Sequence, residues 1–176
     1  MKTEQRKRLK EKLASLSTDE KNEYSKIICE KLETILTDGL ILSYSAIKDE
    51  VDVKNINDKY KVLLPTINED DNTMEAYMPN GNYIVNNYGI LEPNPHKCKK
   101  VKPENIKYII VPCLGFNDSC YRLGKGKGYY DRYLLRCKNA IKIGVAYQIQ
   151  KLDDLAIEQH DFQLDLIVTN SNIYQK

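Results

Sequence analysis

Apolar residues recur along this chain with two different periods, and each change of period marks an element. Between residues 3 and 16, Leu9, Leu13 and Leu16 fall at helical spacing among many lysines and arginines, which predicts an amphipathic N-terminal helix. Ser17-Thr18-Asp19-Glu20 reads as a capping box: the Ser17 hydroxyl takes an orphan N–H while Glu20 reaches back. The helix it opens carries Tyr24, Ile27, Ile28, Leu32 and Ile35 on one face, with Gly39 as its expected stop. Leu40-Ile41-Leu42-Ser43-Tyr44 is short, apolar and bounded, and predicts a buried strand. A short helix is expected after Glu50, then a strand through Lys61-Val62-Leu63-Leu64 that ends at Pro65.

Residues 68 to 105 are less regular. Met74 to Met78 and Tyr83 to Val85 predict the two strands of a hairpin-like excursion. Asn87-Tyr88-Gly89-Ile90 and Glu92-Pro93-Asn94-Pro95 read as turns, and His96 to Pro103 as a solvated, lysine-rich loop. Ile106 to Val111 predicts a central strand; Lys142 to Tyr147 and Leu166 to Thr169 predict two more. Tyr129 to Cys137 carries a helical pattern. Helix and strand signals mostly alternate. The expected fold is therefore α/β and layered: a central, mostly parallel sheet flanked by helices, in a single domain over residues 1–176. No internal repeat interrupts it.

Composition narrows the class. The chain has 176 residues, 41% apolar and 30% charged, enough for one domain with a real core and outside the disordered range. Its formal net charge of +2 does not demand a nucleic-acid partner, so basic character is a matter of local clusters. No run approaches the ~20 apolar residues of a membrane span, and the N-terminus lacks a signal-peptide pattern. Five cysteines with no CxxC pair argue against a zinc ribbon or disulfide framework and fit reduced thiols in the cytoplasm.

The chemistry concentrates in Tyr121-Arg122-Leu123-Gly124-Lys125-Gly126-Lys127-Gly128-Tyr129-Tyr130-Asp131. This run lies between the predicted strand at Ile106 and the predicted helix at Tyr129. A glycine-rich turn there lets backbone N–H groups approach an anion, and the helix start adds unsatisfied donors. Arg122, Lys125 and Lys127 supply charge, while Gly124, Gly126 and Gly128 permit close approach. Lys125 and Lys127, two apart, project to one side of an extended loop. The order is not a Walker A loop, since no Ser or Thr follows a Gly-Lys pair, and it is not a dinucleotide fingerprint. The same run could also serve as a flexible solvated loop, with Asp131 complementing a helix dipole and Tyr129 and Tyr130 packed in the core.

The run resembles the signature of 5-formyltetrahydrofolate cyclo-ligases, also called methenyltetrahydrofolate synthetases, from Tyr121 to Asp131 throughout. Similar matches extend over nearly the whole chain: Val111-Pro112 and Phe116, Lys2 and Arg6, Ser17 to Glu20, Glu50-Val51-Asp52, Leu64-Pro65, Tyr88 to Pro93, Gly144 to Tyr147 with Gln150, and His160-Asp161. The resemblance implies an ATP-dependent ligase of one-carbon metabolism. 5-Formyltetrahydrofolate and MgATP would give 5,10-methenyltetrahydrofolate, ADP and phosphate. Phosphorylating the formyl oxygen makes it a good leaving group, and N10 then closes the ring, so positioning and charge neutralisation carry the work.

The resemblance also implies roles. Arg122, Lys125 and Lys127 would be catalytic. Lys2, Arg6, Arg122, Gly124, Lys125, Gly126, Lys127, Gly128, Tyr129 and Tyr130 would bind ATP. Ser45, Ile47, Glu50, Lys125 and Tyr129 would bind the folate substrate, and Asp131 and Asp161 would hold Mg²⁺. Partners would be small molecules only, with no nucleic acid or membrane, and the enzyme would work as a cytoplasmic monomer. Three departures stand out. Cys120 occupies a position where the family often has glycine, so the loop entry should differ if that position needs a positive φ. Residues 68 to 82 match only loosely, and Ser45 and Ile47 lie in a variable stretch. His160, beside Asp161, is left outside the catalytic set, because a lone histidine is more often structural.

Two rivals remain at this level. A kinase or ligase on another small substrate would keep the glycine loop and differ around Ser45 to Glu50 and Tyr77 to Asn87. An anion- or RNA-binding module would use Lys2, Arg6, Arg8, Lys97, Lys99, Lys100 and Lys102, with steep salt dependence and no need for Mg²⁺. The N-terminal helix lacks the interleaved aromatics such a module usually carries.

Overall fold

The computed structural model describes residues 1–176. Two helices come first, α1 (Lys2–Ala14) and α2 (Thr18–Ile35). The Ser17 capping box is present in full: its Oγ accepts from the Glu20 N–H at 3.0 Å, and Glu20 accepts from the Ser17 N–H at 3.1 Å. Strand β1 (Leu40–Leu42), helix α3 (Lys54–Lys59) and strands β2 (Val62–Asn68) and β3 (Thr73–Met78) follow. Next come β4 (Tyr83–Val85), β5 (Leu91–Pro93), β6 (Lys99–Val101) and β7 (Ile106–Pro112), then the short pair β8 (Gly115–Phe116) and β9 (Arg122–Leu123). Helix α4 (Tyr129–Leu134) and strands β10 (Ile141–Val145), β11 (Leu166–Val168) and β12 (Ile173–Gln175) complete the chain.

The eight-stranded main sheet runs β12-β11-β10-β7-β1-β2-β3-β6. Its middle, β11 to β2, is parallel, while β12, β3 and β6 are antiparallel additions. The expected α/β layering is what forms. Alternation along β7 explains the two cores. Tyr108 and Ile110 face α2 and α3, whereas Ile109 and Val111 face α4 with Tyr133, Leu134 and Cys137. The β1–β7 register slips between Leu40 and Ile41, which turns Ile106 to the α4 side although it shares parity with Tyr108.

The strand order reverses between β1 and β7. The chain leaves β1 toward β2 on one side and leaves β7 toward β10 on the other. The carboxyl ends of these two strands are therefore where an open α/β sheet of this order has the crevice that receives ligands. The loop after β1 carries Glu50, and the segment after β7 carries the glycine run.

Several local expectations are corrected. Gly39 does not stop α2. The helix ends at Ile35 with Leu36 already extended, and Gly39 (φ +142°) instead turns the chain into β1. β2 does not end at Pro65. β1 stops opposite Leu63, so beyond it β2 pairs on one side only, where a residue lacking an N–H is tolerated. Met74–Met78 and Tyr83–Val85 are not partners: β3 pairs with β2 and β6, and β4 pairs with β5 in a separate ribbon. Glu92 and Pro93, expected in a turn, lie in that ribbon. The lysine-rich loop contains an edge strand, β6, with Cys98 and Val101 buried; lysines on an edge guard it against pairing with other chains. α4 ends at Leu134, earlier than Cys137, because the N–H groups of Arg136 and Cys137 bond three residues back and close a turn.

Candidate active site

The glycine run is held from beneath by a tight hairpin. β8 and β9 pair Gly115 with Leu123 and Phe116 with Arg122. Asn117 closes the turn between them: its side chain accepts the Tyr121 N–H at 3.0 Å and its carbonyl accepts the Cys120 N–H at 3.1 Å. Cys120 itself takes the left-handed conformation, φ +62°. The loop entry thus places a cysteine in a positive-φ conformation, so the side chain does not by itself forbid that backbone angle here. Its side chain is fully buried in the α4-side core.

Arg122 leaves this hairpin into the protein, with its side chain 5% exposed. Its Nη1 donates to the Pro112 carbonyl at 3.3 Å, and its Nη2 lies 3.4 Å from Asp131 Oδ1. The guanidinium sits 5.3 Å from the Tyr130 ring centre. Its Nε has no partner although it is buried. Burial, with the Glu50 carboxylate nearby, pushes the Tyr130 phenol well above its ordinary value, so it stays protonated at neutral pH.

Beyond Arg122 the backbone turns through Gly126 (φ +111°) and Gly128 (φ +70°), angles that side-chain-bearing residues rarely adopt. Gly128 is the N-cap of α4. Arg132 closes the far side of the turn, donating to the Lys127 carbonyl at 2.9 Å and to the Asn72 carbonyl at 2.6 Å, with Tyr129 beside it. Lys125 Nζ reaches Glu50 Oε1 at 2.7 Å. Lys127 is exposed and makes no ion pair.

The N-terminal helix approaches from above. Arg6 Nε donates to the Gly124 carbonyl at 2.9 Å, and its guanidinium lies against Gly126. One turn earlier, Lys2 Nζ contacts both oxygens of Asp161, at 2.8 and 2.7 Å, and Glu158 Oε2 at 2.7 Å. Burial works against the Lys2 charge, but the bonds to Asp161 and Glu158 outweigh it and hold the ammonium above its ordinary value. The converse holds for Asp161. Burial would raise its carboxyl, and Lys2 together with the Glu158 N–H brings it below the ordinary range.

On the β1 side, Glu50 Oε2 accepts the Ile47 N–H at 3.0 Å, which folds the 45–50 loop around its carboxylate. Ser45 lies half-buried on the same loop and makes no side-chain hydrogen bond. The phenol of half-buried Tyr129 is raised by burial, with smaller contributions from Tyr88, Glu69 and Glu92. The structure therefore gathers Arg6, Arg122, Lys125, Tyr130, Asp131 and Glu50 around one crevice. It does not bring Asp131 into the acidic cluster of Asp161, whose neighbours within 4.8 Å are Glu158 and His160.

Sequence reasoning missed three supports. Gln5 is buried on the same helical stripe as Lys2, Arg6 and Leu9; it donates to the Asp154 carbonyl at 2.5 Å and accepts the Ala156 N–H at 3.2 Å. Its spacing from Lys2 was the available signal. Glu92, also buried, ties the β4–β5 ribbon to β2 by accepting from Asn86 at 2.8 Å and the Ile67 N–H at 3.3 Å. Glu158 shares Lys2 with Asp161. The Tyr88 to Pro93 match covers Glu92 without giving it a role, and the sequence carries no signal for Glu158. The five cysteines are all free and buried. Burial pushes Cys113 up to about 12 and Cys29 and Cys137 up to about 11, which keeps these thiols protonated and unreactive. No helix is long and apolar enough to cross a membrane.

Comparison with known proteins shows the family of the chain. A family model described as the 5-formyltetrahydrofolate cyclo-ligase family matches residues 1–170. A 5-formyltetrahydrofolate cyclo-ligase of Mycoplasma pneumoniae is 34% identical over 170 residues, covering 94% of this chain and 96% of that protein. One from Mus musculus is 24% identical over 183 residues, covering 93% and 90%. Among solved structures, the 5,10-methenyltetrahydrofolate synthetase of Aquifex aeolicus superposes with a TM-score of 0.86 at 32% identity, covering 99% of this chain and 92% of that one. The synthetase of Mycoplasma pneumoniae gives 0.76 at 32% identity, covering 96% and 98%.

Proposed function

The chain belongs to the 5-formyltetrahydrofolate cyclo-ligase family, and from that premise we propose how its own residues cyclise 5-formyltetrahydrofolate to 5,10-methenyltetrahydrofolate at the expense of ATP. The observation that carries the reading is the Lys125–Glu50 contact across the crevice between β1 and β7. It joins a phosphate-binding loop to a carboxylate suited to a folate N–H, so the two substrates would meet there.

Arg122, Lys125 and Lys127, with the N–H groups of Gly124, Gly126 and Gly128, bind the ATP phosphates. Arg6 adds charge from α1, and Lys2 turns from Asp161 to the phosphates. Tyr129 and Tyr130 line the nucleotide side, and Tyr129 also faces the folate. Glu50 hydrogen-bonds the folate near its reacting end, with Ser45 and Ile47 completing that wall. The formyl oxygen attacks the γ-phosphorus and ADP departs. N10 then attacks the activated carbon and gives up its proton to the departing phosphate, which leaves with the formyl oxygen as inorganic phosphate. Arg122 and the two lysines neutralise charge as it shifts onto the transferred group. The unpartnered, buried Arg122 Nε is a donor without an acceptor until an anion arrives.

The residues present also fit Mg²⁺. Carboxylates are its preferred protein ligands, and the two Asp161 oxygens already hold one cation, the Lys2 ammonium. Asp161 would hold the ion with ATP phosphate oxygens, and Asp131, which is paired with Arg122 and stands outside that acidic cluster, would reach it only across the bound phosphates, whose charge the ion would offset. Such an enzyme would act in the cytoplasm as a monomer. The test is an absorbance assay for the methenyl product with 5-formyltetrahydrofolate, with and without MgATP. Product only with MgATP supports the reading; no product from folded, ATP-binding protein refutes it.

A further inference from the structure

The loop that presents Glu50 belongs to no helix or strand, so its backbone must find partners elsewhere. The Glu50 N–H bonds the Ile47 carbonyl within the loop at 3.1 Å, and the remaining bonds around Glu50 come from side chains of three separate core elements. Tyr147, at the carboxyl end of β10, is 2% exposed and donates its hydroxyl to the Glu50 carbonyl at 3.2 Å. Ser25, on the inner face of α2, lies 3.1 Å from that same hydroxyl. Its Oγ accepts the Asp52 N–H at 3.0 Å. Tyr44, just past β1, donates to the intervening Val51 carbonyl at 2.6 Å.

The direction of every proton in this chain is determined. Tyr147 spends its only proton on Glu50, so its oxygen must accept from Ser25. Ser25 therefore donates to Tyr147 and accepts from Asp52. Two buried hydroxyls thus bridge the carbonyl of Glu50 to the N–H of Asp52, two residues on, and clamp the peptide units on either side of Val51. Clamping fixes where the Glu50 side chain starts, while Ile47 and Lys125 fix where its carboxylate ends.

We propose that Tyr147 and Ser25 are positioning residues for Glu50, aiming its carboxylate at the folate through a hydroxyl relay running from the core. The proposal rests on Glu50 contacting the folate. Neither hydroxyl touches substrate. Their contribution is preorganisation: a carboxylate displaced by a fraction of an ångström loses most of the advantage of a fixed acceptor.

The experiment compares Tyr147→Phe, Ser25→Ala, Glu50→Gln and the double variant Tyr147→Phe/Glu50→Gln. Tyr147→Phe keeps the ring and its packing and removes one oxygen. It should raise the KM for 5-formyltetrahydrofolate about tenfold, the effect of one lost buried hydrogen bond, and leave the KM for ATP unchanged. Ser25→Ala should act in the same direction, and reads the same relay if Tyr147→Phe does not fold. In the Glu50→Gln background Tyr147→Phe should have little further effect on folate KM, because there is no carboxylate left to aim. A merely structural tyrosine would lower the unfolding midpoint without this split between the two substrates. If Glu50→Gln raises the folate KM but Tyr147→Phe does not, or if the two effects multiply independently, the relay is wrong and the role of Glu50 stands. If Glu50→Gln leaves the folate KM unchanged, the assignment of Glu50 falls, and the relay with it.

Discussion

Lys125 and Glu50, 75 residues apart in sequence, meet at 2.7 Å across the mouth of the crevice. The lysine is 51% exposed and the glutamate 15%, so the pair contributes little to stability, about 0–1 kcal/mol. Its weakness as a stabilising contact makes it informative. Substituting either residue should leave the fold intact and report on function.

Glu50→Gln should weaken binding of 5-formyltetrahydrofolate by about 10- to 100-fold, the range for losing one charged hydrogen-bond acceptor. ATP binding should persist. Lys125→Ala should show the opposite pattern, a higher KM for ATP with folate binding largely kept. Calorimetric titration of each ligand against each variant separates the two, and equal losses for both ligands in both variants would refute the division.

Arg6 reaches Gly124 from a helix 118 residues away in sequence. Arg6→Ala should raise the ATP KM several-fold, as expected for about 1 kcal/mol of lost charge-assisted bonding. Leu9 and Leu13 still anchor α1 in the core, so the thermal midpoint should move by only a few degrees. Loss of α1 helicity in the variant would instead make the effect one of docking.

Asp131 faces the buried Arg122 guanidinium at 3.4 Å. Asp131→Asn should raise the Mg²⁺ concentration needed for half-maximal activity. It should also destabilise the protein by about 1–3 kcal/mol, because a buried cation loses its counter-charge. Chemical denaturation measures the second effect; an unchanged midpoint would show that the Pro112 carbonyl and the Tyr130 ring suffice for Arg122.

The Lys2–Asp161 pair makes stability depend on pH in a definite direction. Asp161 is held below its ordinary 3.8, so its contribution is complete above pH 3.8 and is lost as pH falls through the lowered value. Lys2 is held above its ordinary 10.5, so its contribution is complete below pH 10.5 and is lost as pH rises through the raised value. Lys2→Met should therefore be less stable than the parent chain by about 1–2 kcal/mol at neutral pH. The gap should close as pH drops below 3.8. Urea midpoints across this range decide it: a gap that stays constant into acid would mean the pair is not its source.

Gly126 has φ +111° and lies against the Arg6 guanidinium. Gly126→Ala forces a side chain into that conformation and should cost about 1–2 kcal/mol of stability, with a larger proportional loss of ATP affinity. Equilibrium unfolding and nucleotide titration on the same variant give both numbers. Tolerance of alanine at both readouts would mean that the loop's backbone angles are not what nucleotide binding uses.

Much of the fold was legible because its signals are short-range. β7 announces itself by a continuous apolar run, and α2 by the Ser17–Glu20 box, whose two bonds close within four residues. The glycine run is equally local: its backbone angles follow from residue type, and its chemistry from lysines that any anion would seek. Pairing was harder to read. β3 and β4 are adjacent in sequence and so read as partners, yet β3 pairs with β2 and β6, and β4 with β5. β6 was hidden by its lysines, since an edge strand is selected to look polar.

What the sequence determined by itself, then, is the set of parts: an α/β alternation, a glycine- and lysine-rich loop after the central strand, and a short list of charged residues. Periodicity, caps and glycine angles are properties of a few consecutive residues, and they survive in any fold the chain adopts. Only the tertiary structure decided which parts meet. It set Lys2 on Asp161, Arg6 on Gly124, Lys125 on Glu50, and the Ser25 and Tyr147 hydroxyls behind the Glu50 loop. Each of these bonds spans far more chain than any local pattern can encode. The Lys125–Glu50 contact exists because strand order reverses between β1 and β7, which brings two remote loops to the same end of the sheet, and the others exist because α1 and α2 pack against that end.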